Sequence, residues 1–341
     1  MPQPTFTVFS QTKEMSVASE TEKPVPLRRR LAAKPHSVQD KVFFGVARSA
    51  AVGAVAIVGL ILSYLLYMSW GTLSKQGFGF IFGSEWSAAD PENLVFQIGP
   101  MLWGSLLIAV SGMILAVPMA IAAAYFIEFF ASGRVAKIAT LVVDLLAAIP
   151  SIVIGLWGVG VFTPVASHWA KLLNENLGFI PLFNNTSGSF VNSPFIAGWV
   201  VAVMIVPIIT SVTREIFSQL DRDVINASIA LGASRSSTFL KVILPTSSGG
   251  IVGGALLGLG RALGETVAIF FVLNLSFEIN WGEVVESRGG SIASMIVSFF
   301  GAASPEEVKA LISAGLVLFV ITLLINWLAA WIVAKAQPWR Q

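Results

Sequence analysis

Apolar residues gather along this chain in long unbroken runs, with neither a helical stripe nor strand alternation dominating. Runs fill about 46–70, 100–126, 138–161, 194–217, 248–275 and 311–332. Each is near the ~20 residues that an α-helix needs to cross about 30 Å of hydrocarbon. A shorter run over 291–302 cannot cross unaided and predicts an interfacial or re-entrant helix. Polar loops separate the runs. The loop 71–99 carries Glu85, Asp90 and Glu92, and the one after 275 carries Glu278, Glu283, Glu286 and Arg288. The Asn-, Ser-, Gly- and Phe-rich loop 162–193 has room for a short interfacial helix. Residues 1–40 are rich in Pro, Ser, Thr, Glu and Lys, include Arg28 to Arg30, and contain no apolar core of a signal peptide. The pattern therefore predicts a disordered tail over 1–42 and an all-α membrane domain of about six spans over 43–341.

Two places interrupt this plan. Between the fourth and fifth runs a polar connector spans about 218–245. Asp221 or Asp223 can cap a short helix there, small residues line one face, and Gly232 supplies the C-terminal stop. A second short helix leads to Pro245, which bends or starts the next apolar run, while Lys241 suits a membrane surface. The other interruption is Ala147-Ala-Ile-Pro-Ser-Ile-Val-Ile-Gly-Leu-Trp-Gly158 in the third run, whose proline and glycines predict a kinked helix.

Composition agrees with a membrane protein: 55% of residues are hydrophobic and 12% charged, against about 25% charged in soluble domains. With no cysteine, disulfides and thiolate chemistry are excluded, and with only His36 and His168 a histidine-rich metal or haem site is disfavoured. A net charge of +2 gives no footprint for nucleic acid. The placement of the basic residues is more informative. With the N-terminus inside, the inner segments hold eight Lys and Arg up to Arg48, then Arg134 and Lys137, then Arg214, Arg222, Arg235 and Lys241, then Lys335 and Arg340. The outer segments hold four: Lys75, Lys171, Arg288 and Lys309. The positive-inside rule then predicts cytoplasmic termini and a cytoplasmic connector.

Candidate chemistry is sparse. No P-loop, H-E-x-x-H or G-x-S-x-G pattern occurs. The glycines at 254, 258, 260 and 264 read as small-xxx-small helix packing, and the sequons at Asn184 and Asn185 as chance in a loop of that composition. Arg261 and Glu265 are the two ionisable residues of the fifth run. Each costs roughly 2.5–3.5 kcal/mol at a bilayer centre. Four apart, they would share a helix face and could form a structural ion pair. They could instead make an anion site, the guanidinium fork matching a tetrahedral oxyanion and the carboxylate holding the arginine or accepting a proton. Asp144 is a further candidate, with a capping or helix-pairing role as the alternative.

Asn226-Ala-Ser228, Gly232 and Val242-Ile-Leu244-Pro245 keep the spacing of the EAA loop of bacterial ABC importer permeases, departing from its consensus at Asn226 and Ser228. The run Ala147 to Gly158 and the motif Gly260-Arg-Ala-Leu-Gly-Glu-Thr266 resemble signatures of the permeases of the high-affinity phosphate (Pst) importer from about residue 46 onward, and the long outer loop after the third span resembles the C-type subunit rather than the A-type. The resemblance implies a type I ABC importer permease (MetI-like) fold in the bacterial cytoplasmic membrane. It implies as partners a second related permease, two ATPase subunits that bind the ATP, an extracytoplasmic phosphate-binding protein and inorganic phosphate. No cofactor and no catalytic residue of the chain's own is implied. Arg261 and Glu265 take the positions tied to phosphate passage, and Asn226, Ala227, Ser228, Gly232, Leu244 and Pro245 those of ATPase coupling. A permease for sulfate or molybdate is the alternative, and a stand-alone secondary transporter a more distant one.

Overall fold

The computed structural model describes residues 38–88, 90 and 93–336. The expected tail up to residue 37, with His36, and also Glu92 and Arg340, lie outside the described residues. The chain falls into two compact units divided between Leu60 and Ile61. The described part of the first is the opening of helix α1 (Val38–Gln76). Residues 38–42, expected in the tail, are therefore helical, with Asp40 in the first turn facing the positive end of the helix dipole. No residue of the apolar window of this helix is buried.

The second unit carries the remaining elements. After α2 (Gly79–Phe82) come two short antiparallel strands, β1 (Trp86–Ser87) and β2 (Val95–Phe96), with Trp86 opposite Phe96 and Ser87 opposite Val95. Helix α3 (Gly99–Tyr125) runs into a π turn, Phe126–Phe130, and α4 (Gly133–Ala148) follows. Next, α5 (Ser151–Trp157), a π turn Gly158–Phe162 and α6 (Thr163–Leu177) form one rod. The chain continues through α7 (Pro194–Ser218) and α8 (Arg222–Ala230). A second rod joins α9 (Arg235–Thr238), a π turn Phe239–Ile243 and α10 (Leu244–Gly264). Then come α11 (Val267–Val272), α12 (Ile292–Phe300) and α13 (Pro305–Ala336).

Six helical stretches among the described residues are long and apolar enough to cross a membrane: Asp40–Gln76, Gly99–Phe130, Ser151–Leu177, Pro194–Ser218, Arg235–Gly264 and Pro305–Ile332. The expected number holds, but two boundaries move. The third run is not one kinked helix over 138–161. Ile149 and Pro150 are extended, with ψ of 128° and 137°, so the break is complete. Proline disfavours helical geometry at the residue before it, which ends α4 at Ala148. The helix then continues to Leu177, through half of what composition marked as a loop. The fifth helix begins well before residue 248. Pro245 has no N–H to donate and its ring would crowd the carbonyl of Lys241; the preceding π turn widens the helix there and lets the rod run through. The short helix expected over 291–302 is α12, held at its start by reciprocal bonds between Ser291 and Ser294.

The core centres on α3 against α7. Ile108, Ala109, Ala116 and Ala120 of α3 meet Ile196, Val200, Val201, Ile205 and Ile209 of α7, and Ala262 and Leu263 of α10 join them. Helix α10 approaches α7 through Gly254 and Gly258, where a methyl at Gly258 would lie 2.8 Å from Ile209 Cδ1. The small-residue expectation thus holds for that pair. Within the chain Gly260 and Gly264 make no such close approach: a methyl at Gly260 would lie 3.9 Å from Asn326 Nδ2, and Gly264 has open space.

Candidate functional site

Both breaks lie in the motifs singled out from the sequence, and the fold brings them together. Helix α5 leaves the first break and α11 leaves the second, and the two pack on each other, with Gly155 directly against Ala268. At the first break α4 lies along α7: Thr140 Oγ1 accepts from Arg214 Nη1 at 2.9 Å, and Asp144 Oδ1 accepts from Ser211 Oγ at 3.5 Å. Asp144 is thus exposed and makes one long contact across to α7. The hollow beside this break, about 320 Å³, is lined by Leu146, Ile149, Val153, Ile154, Trp157 and Val203 and offers an anion no charged group.

At the second break the helix ends at Gly264, and Glu265 is extended with ψ of 123°. The pair expected on one continuous helix face is thereby split. Glu265 turns inward and is 7% exposed, and its Oε1 accepts the backbone N–H of Ala268 at 3.2 Å, capping α11. Arg261 points out. The exposed side of α10 is the stripe Gly253, Leu257, Arg261 and Gly264, opposite the packing glycines. Among the described residues Arg261 makes no ion pair with Glu265 or with any other carboxylate. A guanidinium with five donors so stands on the surface of an otherwise apolar helix.

The connector folds as two capped helices. Asp221 Oδ1 accepts from Asp223 N at 2.9 Å to start α8, and Ser234 Oγ accepts from Ser237 N to start α9. Gly232 closes α8 with φ of +83°, a conformation that costs a side-chain-bearing residue roughly 1–2 kcal/mol. Asn226 and Ala227 are exposed, Pro245 is exposed, and Leu231 is 90% exposed beside Gly232. Ser228 is not part of that outward face: its hydroxyl shares a hydrogen bond with Thr238 at 3.1 Å, tying the two helices together. Leu244 packs from the side on a small core of Phe217, Ile225 and Ile243.

The family of binding-protein-dependent transport system inner membrane components has a model that matches residues 116–337. The chain belongs to this family. The permease is similar to the phosphate transport system permease protein PstC 2 of Mycobacterium tuberculosis, with 37% identity over 287 residues, 83% of this chain and 88% of the relative. It is similar also to PstC of Pasteurella multocida, with 33% identity over 303 residues, 87% of this chain and 93% of the relative. A solved bacterial ABC transporter involved in the import of alginate shares the fold, with a TM-score of 0.50 and 16% identity over 86% of this chain and 99% of that one. The permease is thus a multi-pass, all-α membrane protein with the fold of an ABC importer permease, as expected.

Two polar clusters of the permease escaped the sequence reading. One joins the loops after α6 and α11. Glu286 is 1% exposed, and its Oε2 accepts from Thr186 N at 2.6 Å, Thr186 Oγ1 at 3.2 Å and Ser187 N at 3.4 Å. Burial raises its pKa, but the bonds from Ser187 and Thr186 outweigh it and hold the carboxyl below the usual glutamate range. Asn185, the acceptor of the second sequon, donates to Ser189 O and Val285 O, and Asn280 knits Gly282, Glu283 and Arg288 in the same way. Such Asn turns have local signatures, but no local signal says that Asn185 meets Val285, or Thr186 meets Glu286, across about 100 residues. The other cluster lies between Glu128 and the starts of α8 and α9.

Proposed function

We propose that this chain is the C-type permease subunit of an ATP-driven phosphate importer in the bacterial cytoplasmic membrane, with both termini in the cytoplasm. It forms the translocation path with a second, related permease. Two ATPase subunits bind and hydrolyse the ATP, so the chain needs no cofactor of its own, and an extracytoplasmic binding protein delivers inorganic phosphate. The observation that carries the reading is Arg261, exposed on an apolar helix with no anionic partner among the described residues. A guanidinium facing lipid alone would be costly, so its face belongs against a water-filled path shared with another chain. Its planar fork suits a tetrahedral oxyanion. Similarity to relatives named as phosphate transport permeases supports phosphate as the cargo.

The connector 218–245 supports the ATPase-docking part of the reading. It presents Asn226, Ala227 and the fully projecting Leu231 on a rigid, doubly capped turn closed by Gly232. Leu244 and Pro245 lead from it into the helix that carries Arg261. A displacement of the connector therefore has a continuous helical route to the path. Sulfate and molybdate remain the competing cargoes, and a carboxylate near the path would favour a protonated phosphate over sulfate. The test is uptake of labelled phosphate, sulfate and molybdate into liposomes holding the assembled complex, with ATP hydrolysis measured with and without the binding protein. Phosphate-specific uptake with stimulated hydrolysis is expected. Equal uptake of sulfate would move the cargo, and hydrolysis-independent flux would overturn the importer reading.

A further inference from the structure

The transport reading does not use the second of the two polar clusters: the π turn Phe126–Phe130 that ends α3, and the first residues of the two helix runs of the connector. Glu128 Oε1 accepts from Arg222 Nη2 at 2.6 Å. The Arg222 guanidinium also lies 5.3 Å from the Phe129 ring centroid, and that of Arg235 lies 5.6 Å from Phe130. Tyr125 packs on Phe239 with centroids 4.2 Å apart, so the turn is held to both sides of the connector.

These arginines stand in unfavourable places for isolated helices. Arg222 is the first residue of α8 and Arg235 the first of the rod through α10. A cation there opposes the positive end of the helix dipole at a cost of about 0.3–1 kcal/mol. Helix propensity therefore does not account for them, whereas their partners on the π turn do. An ordinary surface ion pair contributes about 0–1 kcal/mol because two free side chains must be held in one geometry. Here the Arg222 side chain is 56% exposed, but its partner Glu128 is only 18% exposed and a ring lies beneath the guanidinium, so the contact is held on the Glu128 side and by the ring. Behind the turn stands α3, the helix that packs with α7 to make the principal core.

We infer that the Glu128–Arg222 contact, seated on Phe129, is the joint that passes displacement of the connector to α3, and that both residues are positioning residues for coupling. The inference rests on the reading of the connector as the ATPase-docking segment. It gives the connector a second outlet besides α10: one push moves two helices of the bundle together.

The experiment uses the complete complex in liposomes and reads labelled phosphate moved per ATP hydrolysed. Glu128→Gln and Arg222→Gln are expected to lower this ratio about 5-fold or more while the ATPase subunits still co-purify. Arg222→Lys, which keeps charge but loses the planar fork, should fall between. Glu128→Arg combined with Arg222→Glu should recover about half of the ratio or more. An unchanged ratio in both single variants, or an exchanged pair no better than the worse single variant, overturns the joint. If the single variants do not assemble, the exchanged pair decides: recovered assembly and flux support the joint, and their absence overturns it. Gly232→Pro separates this from failure of the docking reading. Intact docking and transport in that variant would sink the reading beneath, whereas uncoupling there with normal Glu128→Gln would sink the joint alone.

Discussion

Arg261 draws its significance from where it stands. In water an exposed arginine needs no explanation, but on the apolar stripe of α10 its cost has to be met by a passage or a partner. Arg261→Gln is therefore expected to abolish labelled-phosphate uptake while the complex assembles normally; unchanged uptake would make the residue structural. Glu265 is to be tested differently because it caps α11. Glu265→Gln keeps an acceptor for Ala268 N and should keep the thermal midpoint, whereas Glu265→Ala removes it at a cost of about 0.5–2 kcal/mol. A thermal midpoint left unmoved by the Ala variant would count against the cap. Glu286 gives a pH prediction. Its folded pKa lies below its unfolded value, so its contribution is complete above the ordinary glutamate pKa and is lost as pH falls through the lower, folded value. Glu286→Gln should cost roughly 1–3 kcal/mol at neutral pH and remove that acid-dependent loss, checked by thermal unfolding from pH 7 to pH 3. What was legible at this scale follows the chemistry. An ionisable residue in an apolar run announces itself, but its rotamer and partner do not. The break that separates Arg261 from Glu265 carries no proline to mark it, only Gly264 and Thr266, whereas Pro150 marked the other break.

At the scale of elements, apolar runs gave the number of crossing helices because lipid imposes their length, though the third was displaced, and the start and stop of α8 were readable because Asp221 and Gly232 are local signals. The π turns were not. Pro245 was read as bending or starting a span, yet the wider turn before it absorbs the missing hydrogen bond and leaves one rod from Arg235 to Gly264. On the proposed docking of an ATPase at the connector this continuity would matter, since a rod transmits a displacement that a flexible hinge would lose. Gly232 sets the angle at which α8 meets the rod. Its N–H reaches Ile229 O at 2.9 Å, and Ala233 N reaches Ser228 O. Gly232→Pro removes the first bond and forces φ to about −65°, so it should detach or uncouple the ATPase. Gly232→Ala keeps the bond and should cost only about 1–2 kcal/mol, with coupling largely preserved. Normal ATPase co-purification and normal transport in the proline variant would remove the docking role.

At the scale of the whole molecule, the second unit is asymmetric in its needs. The α3–α7–α10 core is satisfied within the chain, with alanines and glycines letting backbones meet. The stripe bearing Arg261 is not satisfied, and neither is Leu231 at the tip of the connector. Both belong to surfaces that one chain leaves open, one on an apolar span and one on a polar connector. A self-contained carrier would close its own path, with its charges paired inside the bundle. This chain instead displays a guanidinium without an ion pair among the described residues, on the face that the proposed second bundle would cover. Reconstituted by itself, it should therefore pass no labelled phosphate above the leak of empty liposomes, at any phosphate gradient. Adding the related permease alone should still give none, because nothing then drives the connector. Flux should appear only when the ATPase subunits, ATP and the binding protein are all present, and should vanish in the same preparation when Arg261→Gln replaces the parent chain. Gradient-driven flux through the isolated chain would mean that the arginine stripe folds onto itself or onto a second copy, and the path would then have to be sought within this polypeptide.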